Sequence, residues 1–316
     1  MFSNKLSNVS VFFLILALGF VLAACNSTAS APSESSAPPT VETAVSQKIG
    51  LLIPEKVPFF DTLQDGAKEA ANRLNVELVV RDASNDINTQ NEQIQEMIDL
   101  GVNAIVITAV DSQAVVEKIE AASAAGIAVF TVDRSIDSDT VVSHIASDNA
   151  TGGKMAGDYL AETLGKKGNV VELEGIAGTS AAQERGAGFN AAMDTYPDIT
   201  IIAKETADFN REEGQTVFAQ ILADNPEIDG VFAHNDEMVL GAIAAAEETG
   251  RLGDIVFVGF DAVDDAVAAL ENGALAATIA QQPAEMGRLG IENAVKYLQG
   301  ETVPENIAVD LALISR

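Results

Sequence analysis

The stretch KIGLLIPEKVPFFDTLQDGAKEAANRLNVELVV, residues 48–80, sets a short apolar strand, a longer helical pattern and a second apolar strand in direct succession. The same rhythm continues outward, with strands expected at 49–53, 76–80, 104–108 and 127–132 and again at 169–173, 199–204, 230–233 and 255–259. Helical patterns fill the gaps at 59–74, 89–100, 113–125, 150–164, 181–195, 212–223, 237–249 and 284–298. Alternation of this kind predicts an α/β fold, parallel sheets with helices on both faces. A break near Ser147 divides the strands into two sets of four, which predicts two similarly wound lobes facing each other rather than one wide sheet.

A chain of 316 residues is long enough for two such lobes. With no Trp and few aromatics, the interior is expected to consist mainly of Ala, Val, Ile and Leu, the usual filling of covered parallel sheets. Lys and Arg number 18 against 47 Asp and Glu, a formal charge of −29. So acidic a surface repels phosphate backbones, which argues against a nucleic-acid partner and otherwise speaks for solubility.

The N-terminus carries Lys5, then an apolar run over 9–22, then Leu22-Ala23-Ala24-Cys25. A basic start, an apolar core too short for a membrane span and small residues before a cut site describe a secretory signal at 1–24. Cys25 is the only cysteine, so it has no internal disulfide partner, and its place after Leu-Ala-Ala resembles the lipobox of bacterial lipoproteins. Cys25 is therefore expected to be lipidated and to become the first residue of the mature chain. Residues 25–47, rich in Ser, Ala, Pro and Thr, read as that cysteine followed by a flexible tether, with the folded body beginning near Lys48.

In open parallel sheets, ligands sit beyond the carboxyl ends of the strands. Phe59 and Phe60 follow the first strand, Asp133 and Arg134 the fourth, Asn235 and Asp236 the strand at 230–233, and Asp261 the strand at 255–259; Arg185 follows the loop after Leu173. With Phe209 and Gln281 they supply carboxylate acceptors, guanidinium forks, amides and flat aromatic walls, the complement of a monosaccharide's hydroxyls and C–H faces. Paired Asp and Arg also neutralise each other around an uncharged ligand. Singly, each residue has a second reading: Phe59 and Phe60 as core residues, Asp133-Arg134 as a solvated pair, Asn235 and Asp261 as helix N-caps. The joint pattern favours a binding cleft.

At these residues the chain resembles the periplasmic ribose-binding proteins of bacterial ABC transporters, which have the type I periplasmic binding protein fold. The resemblance is carried in order by PFFDTLQDGA (58–67), VDRSI (132–136), VVSHIASDNATGGKMAGDYLA (141–161), ELEGIAGTSAAQERGAGF (172–189), ADFNR (207–211), FAHNDEMVLGA (232–242), VGFD (258–261) and LAATIAQ (275–281). It implies two doubly wound, flavodoxin-like or Rossmann-like lobes joined by a three-segment hinge, residues 48–147 with 282–310 and residues 148–281 with 311–316. It also implies that Phe59, Phe60 and Phe209 sandwich a sugar ring while Asp133, Arg134, Arg185, Asn235, Asp261 and Gln281 hydrogen-bond its hydroxyls. The family pattern before PFF is Asn-Asn-Pro, the second Asn contacting the sugar, whereas this chain reads Lys56-Val57-Pro58 with a slightly shorter lead-in. One polar contact is therefore expected to be missing, which leaves ribose, allose, xylose or a related small sugar as ligand.

The implied protein is an exported monomer that is not an enzyme, held at the outer face of the cytoplasmic membrane or in the periplasm, handing its sugar to an ABC permease and, in a receptor role, to a chemotaxis transducer. Two other classes compete with this reading. A chemoreceptor or quorum-ligand domain, or the effector domain of lactose-repressor-type regulators, shares the architecture, but the regulator needs a basic helix-turn-helix where this chain has a signal peptide. A sugar-processing enzyme needs a nucleophile and base, and the only histidines, His144 and His234, read as structural. GIAGTSAA at 175–182 matches neither the phosphate-loop nor the dinucleotide pattern, so no cofactor is expected. No metal-ligand spacing is evident, and Asp264-Asp265 reads as an exposed acidic helix start.

Overall fold

The computed structural model describes residues 47–316; the expected signal segment, Cys25 and nearly all of the tether lie outside the described residues. The first sheet is built from β1 (Lys48–Ile53), β2 (Glu77–Asp82), β3 (Ala104–Ile107), β4 (Ala128–Val132) and β5 (Val141–Ser147), with α1 (Pro58–Leu74), α2 (Ile87–Asp99) and α3 (Val116–Ala124) in the connections. The second follows with α4 (Asn149–Thr163), β6 (Lys167–Glu174), α5 (Ser180–Met193), β7 (Asp198–Thr206), α6 (Arg211–Asp224), β8 (Gly230–Ala233), α7 (Asp236–Glu248), β9 (Val256–Asp261), α8 (Asp264–Asn272) and β10 (Ala277–Ala280). Then come α9 (Pro283–Leu298), β11 (Asn306–Val309) and β12 (Ala312–Ser315).

Each sheet has six strands, in the orders β11-β5-β4-β3-β1-β2 and β12-β10-β9-β8-β6-β7. The expected four strands per sheet fell short for a physical reason. β5 is broken by Ser143, His144 and Ser147, β10 is only four residues long, and β11 and β12 are short edge strands with little apolar signal. All pairings are parallel except β10 with β12. Reversal of winding direction beside β1 and beside β6 is the doubly wound pattern, which opens a crevice at the carboxyl end of each sheet. The chain passes between the sheets three times, after β5, after β10 and after β11.

Helix α9 returns to the first sheet and lies tightly on α1. A Cβ on Gly66 would come within 2.0 Å of the Ala284 carbonyl oxygen, and one on Gly287 within 2.0 Å of that of Leu63, so both glycines are required by backbone contact. The core holds the expected Ile, Leu, Val and Ala, but the largest fully buried side chains are Phe130, Phe189, Phe218, Phe232, Phe257 and Phe260, a heavier aromatic share than expected. Among the described residues no helix is long and apolar enough to cross a membrane.

Candidate functional site

All nine side chains expected to face a ligand line one cavity between the carboxyl ends of the two sheets. Phe59 and Phe60 enter it from the first turn of α1 and Asp133 and Arg134 from the end of β4. Arg185 enters from α5, Phe209 from the turn after β7, Asn235 from the end of β8, Asp261 from the last position of β9, and Gln281 from just beyond β10.

Arg185 is the most constrained of them. Its Nε donates to Asn149 Oδ1 at 2.8 Å and its Nη1 to the His234 carbonyl at 2.7 Å, while its guanidinium lies 3.9 Å from the ring centre of Phe260. That leaves its outer edge facing Asp261 at 3.6 Å and Asp133 at 4.0 Å. Arg134 lies 3.7 Å from Asp133 and donates to the Ala109 carbonyl at 3.2 Å. The Asp133-Arg134 pair is not solvated, being 4% and 3% exposed. Two arginines and two aspartates thus share a water-poor chamber, an arrangement that holds its own charges near balance and leaves directional hydrogen bonds for an uncharged guest.

Burial raises the Asp133 carboxyl above the usual carboxylate range against the pull of Arg134 and Arg185, and lowers the Arg134 guanidinium. Burial likewise pushes Asp261 up to about 7, opposed by Arg185 and by Gln281, whose Nε2 donates to Oδ1 at 2.8 Å. Behind it Asp236 is raised as well, by burial and by Asp261; its carboxylate accepts from Thr278 Oγ1 at 2.8 Å and Val263 N–H at 3.0 Å, bracing β9 against β10. Arg134 Nε and Gln281 Oε1 are buried with no hydrogen-bond partner among the described residues. One donor and one acceptor therefore remain available in the chamber.

The aromatic walls are set with similar economy. Phe59 and Phe60 meet edge to face, 5.1 Å apart at 87°. Both also belong to the core beneath, so the core and wall readings hold together. Arg134 lies over Phe60 at 5.4 Å and over Phe209 at 5.2 Å. Phe209 has a left-handed backbone, φ 56°, and its ring sits so close to Gly175 that a Cβ there would approach within 2.0 Å. Asn235 is an N-cap, its Oδ1 accepting from Met238 N–H at 3.0 Å, yet its Nδ2 also donates to the Phe209 carbonyl at 3.3 Å. Asp261 is not an N-cap, since Val263 precedes α8. Left-handed φ at Asp133 (64°), Asp261 (122°) and Ala262 (59°) marks the same rim, the sort of backbone strain that gathers at binding sites.

Glu55, Val57 and Ala181 also line the cavity. Glu55 could have been found by extending the strand-end rule to every residue after β1, whereas Ala181 has no polar signal. Asn149, His234 and Phe260 support Arg185 from behind, their roles depending on contacts between distant elements. His144 lies elsewhere, its Nδ1 2.8 Å from Thr131 Oγ1. His234 accepts from Gly175 N–H at Nδ1 (3.3 Å), and its Nε2 lies 3.0 Å from Glu172. Glu172, Glu174 and His234 do converge within 4.8 Å, a grouping their sequence spacing concealed, but Lys204 Nζ already stands 3.4 Å from Glu172 and 3.1 Å from Glu174. That ammonium supplies the positive charge the group calls for.

The two halves also touch directly. Ser112 N–H donates to the Gly178 carbonyl at 3.1 Å, and Ser135 N–H to Ser180 Oγ at 2.9 Å.

Two doubly wound halves, three crossing segments and a polar chamber between strand ends define a solute-binding protein of the type I periplasmic class. Residues 49–302 match the model of the periplasmic binding protein domain, and the chain belongs to that family. It is similar to the ribose import binding protein RbsB of Haemophilus influenzae, 45% identical over 258 residues covering 82% of this chain and 87% of that protein. The Escherichia coli RbsB is 44% identical over 257 residues, covering 81% and 86%. Among solved structures, an ABC transporter periplasmic solute-binding protein from Actinobacillus succinogenes with bound D-allose superposes with a TM-score of 0.81 at 32% identity, covering 85% of this chain and 98% of that one.

Proposed function

We propose that the chain captures D-ribose between its two halves and delivers it to the permease of an ABC sugar importer. The observation that carries this reading is the charge-balanced chamber of Asp133, Arg134, Arg185 and Asp261, walled by phenylalanines and built from both sheets. Phe59, Phe60 and Phe209 pack on the ring faces, and the four charged residues with Asn235 and Gln281 bond the hydroxyls. A sugar touching both halves stabilises the closed arrangement relative to the open one, because only there are all contacts made at once. In this reading the lobes are residues 48–147 with 282–310 and residues 148–281 with 311–316, and closure is what the permease recognises.

The relatives are solute-binding proteins, so this chain is a binder and not an enzyme, and their family implies export to the periplasm. The signal segment, lipidation of Cys25, a monomeric state, permease docking and a secondary chemotaxis role complete the proposal. Val57, apolar in the cavity wall, favours a second reading in which another small sugar, such as allose or xylose, is preferred. Calorimetric titration with ribose, allose, xylose, arabinose, galactose and glucose tests both: saturable ribose binding tighter than the rest is expected, and no binding by any of the six rejects the function.

A further inference from the structure

We propose that Glu55 contacts the ligand directly and sets which sugars the cavity accepts. The proposal rests on the sugar-binding reading above and adds a residue to it.

Glu55 stands between the end of β1 and the start of α1, half-buried, on the same cavity surface as Val57, Phe60 and Arg134. Its loop is held: the carbonyl of Pro54 accepts Asn85 N–H at 2.7 Å, and Ser84 and Asn85 both adopt left-handed φ, 51° and 56°, to make that turn. The Asn85 side chain acts on the Glu55 carboxyl in the lowering direction, against the effect of burial. An ionised carboxylate offers about four acceptor sites, so most of this one's capacity is not spent on Asn85.

The charges around Glu55 are mixed. Arg134 attracts it, while Asp82 from β2 and Glu237 from α7 across the cleft repel it. Glu237 is itself engaged by Arg211, Nε to Oε2 at 2.8 Å. Arg134 is shared with Asp133, so Glu55 is a third carboxylate in a chamber whose two arginines already face two aspartates. Burial raises its carboxyl, which means its acceptor capacity is held in a partly dehydrated place. Val57 and Phe60 offer no polar side-chain atom there, so Glu55 with Arg134 determines the polarity of that end. A hydroxyl donor presented to it satisfies the carboxylate; a deoxy analogue leaves that acceptor capacity unused in a partly dehydrated place, the kind of loss by which binding sites discriminate.

The test titrates full chain, wild type, Glu55→Gln and Glu55→Ala, with D-ribose and its monodeoxy analogues. Expected are a loss of about tenfold or more in ribose affinity on Glu55→Ala, the scale of one charge-assisted hydrogen bond, and a smaller loss for Glu55→Gln. One deoxy position should cost the wild type a comparable factor and cost Glu55→Ala almost nothing. Ribose affinity within twofold of wild type in both variants overturns the role of Glu55 while leaving the sugar site standing. Failure of the wild type to bind ribose or any analogue overturns the underlying reading, and this proposal with it.

Discussion

The carboxylate of Asp133, at the end of β4 in the first sheet, lies 4.0 Å from the guanidinium of Arg185, carried by α5 over the second sheet. Arg185 cannot follow Asp133 if the halves separate, because Asn149, the His234 carbonyl and the ring of Phe260 hold it to its own side. The pair is therefore a feature of the closed arrangement, and the ligand groups proposed here meet only when it forms.

Asp133→Ala leaves Arg134 and Arg185 without the carboxylate that faces them both, in a place where an unmatched buried charge costs about 3–5 kcal/mol. Ribose affinity should fall by at least about a hundredfold on that scale. Circular dichroism should remain native, since the fold's hydrogen bonds do not pass through this carboxylate. Calorimetry showing unchanged affinity would remove Asp133 from the site.

Asp261 gives a pH signature of definite sign. Its carboxyl is raised from an ordinary 3.8 to about 7, so the folded chain holds that proton more tightly than the unfolded one. Its stabilising contribution is complete below about pH 4 and disappears as pH rises toward 7. Asp261→Asn cannot ionise, so relative to wild type it should gain on the order of 4 kcal/mol between pH 4 and 8, while losing sugar affinity. Urea unfolding of the ligand-free chain at both pH values measures this; a difference between variant and wild type that does not change with pH contradicts it.

Gly66→Ala tests the seating of α9 on α1. The added Cβ would fall 2.0 Å from the Ala284 oxygen, a backbone atom that moves only if the helix moves. A loss of about 1–3 kcal/mol is expected, the usual cost of overpacking, despite the better helix propensity of Ala. A thermal midpoint equal to or above wild type would show that the helices separate freely.

Cys25→Ser should shift the full chain from the membrane fraction to the soluble fraction of cells and abolish incorporation of labelled fatty acid. Lipid labelling that persists in this variant contradicts anchoring through Cys25.

Much of the fold was legible because parallel strands buried on both faces write themselves as uninterrupted apolar runs, as at Ile49 to Ile53 and Ala104 to Ile107. β5 was not, since its Ser143 and His144 interrupt the run and its pairing with β4 and β11 comes from residues far away. The cavity-lining residues at strand ends were legible as chemical types in recurrent places. Glu55 is a lone carboxylate in a loop with no pattern to single it out, and the supports of Arg185, namely Asn149, His234 and Phe260, have no common spacing to reveal them.

By itself, the order of residues determined the class of the fold and the kinds of group at the strand ends, because local periodicity and chain direction suffice for both. Only the tertiary structure decided which groups meet. The Asp133 to Arg185 approach depends on how two separately wound sheets are brought together, and Lys204 stands beside Glu172 and Glu174 because of the register of β7 on β6. Distances between elements far apart in sequence arise from packing of complete surfaces, and no local pattern encodes them.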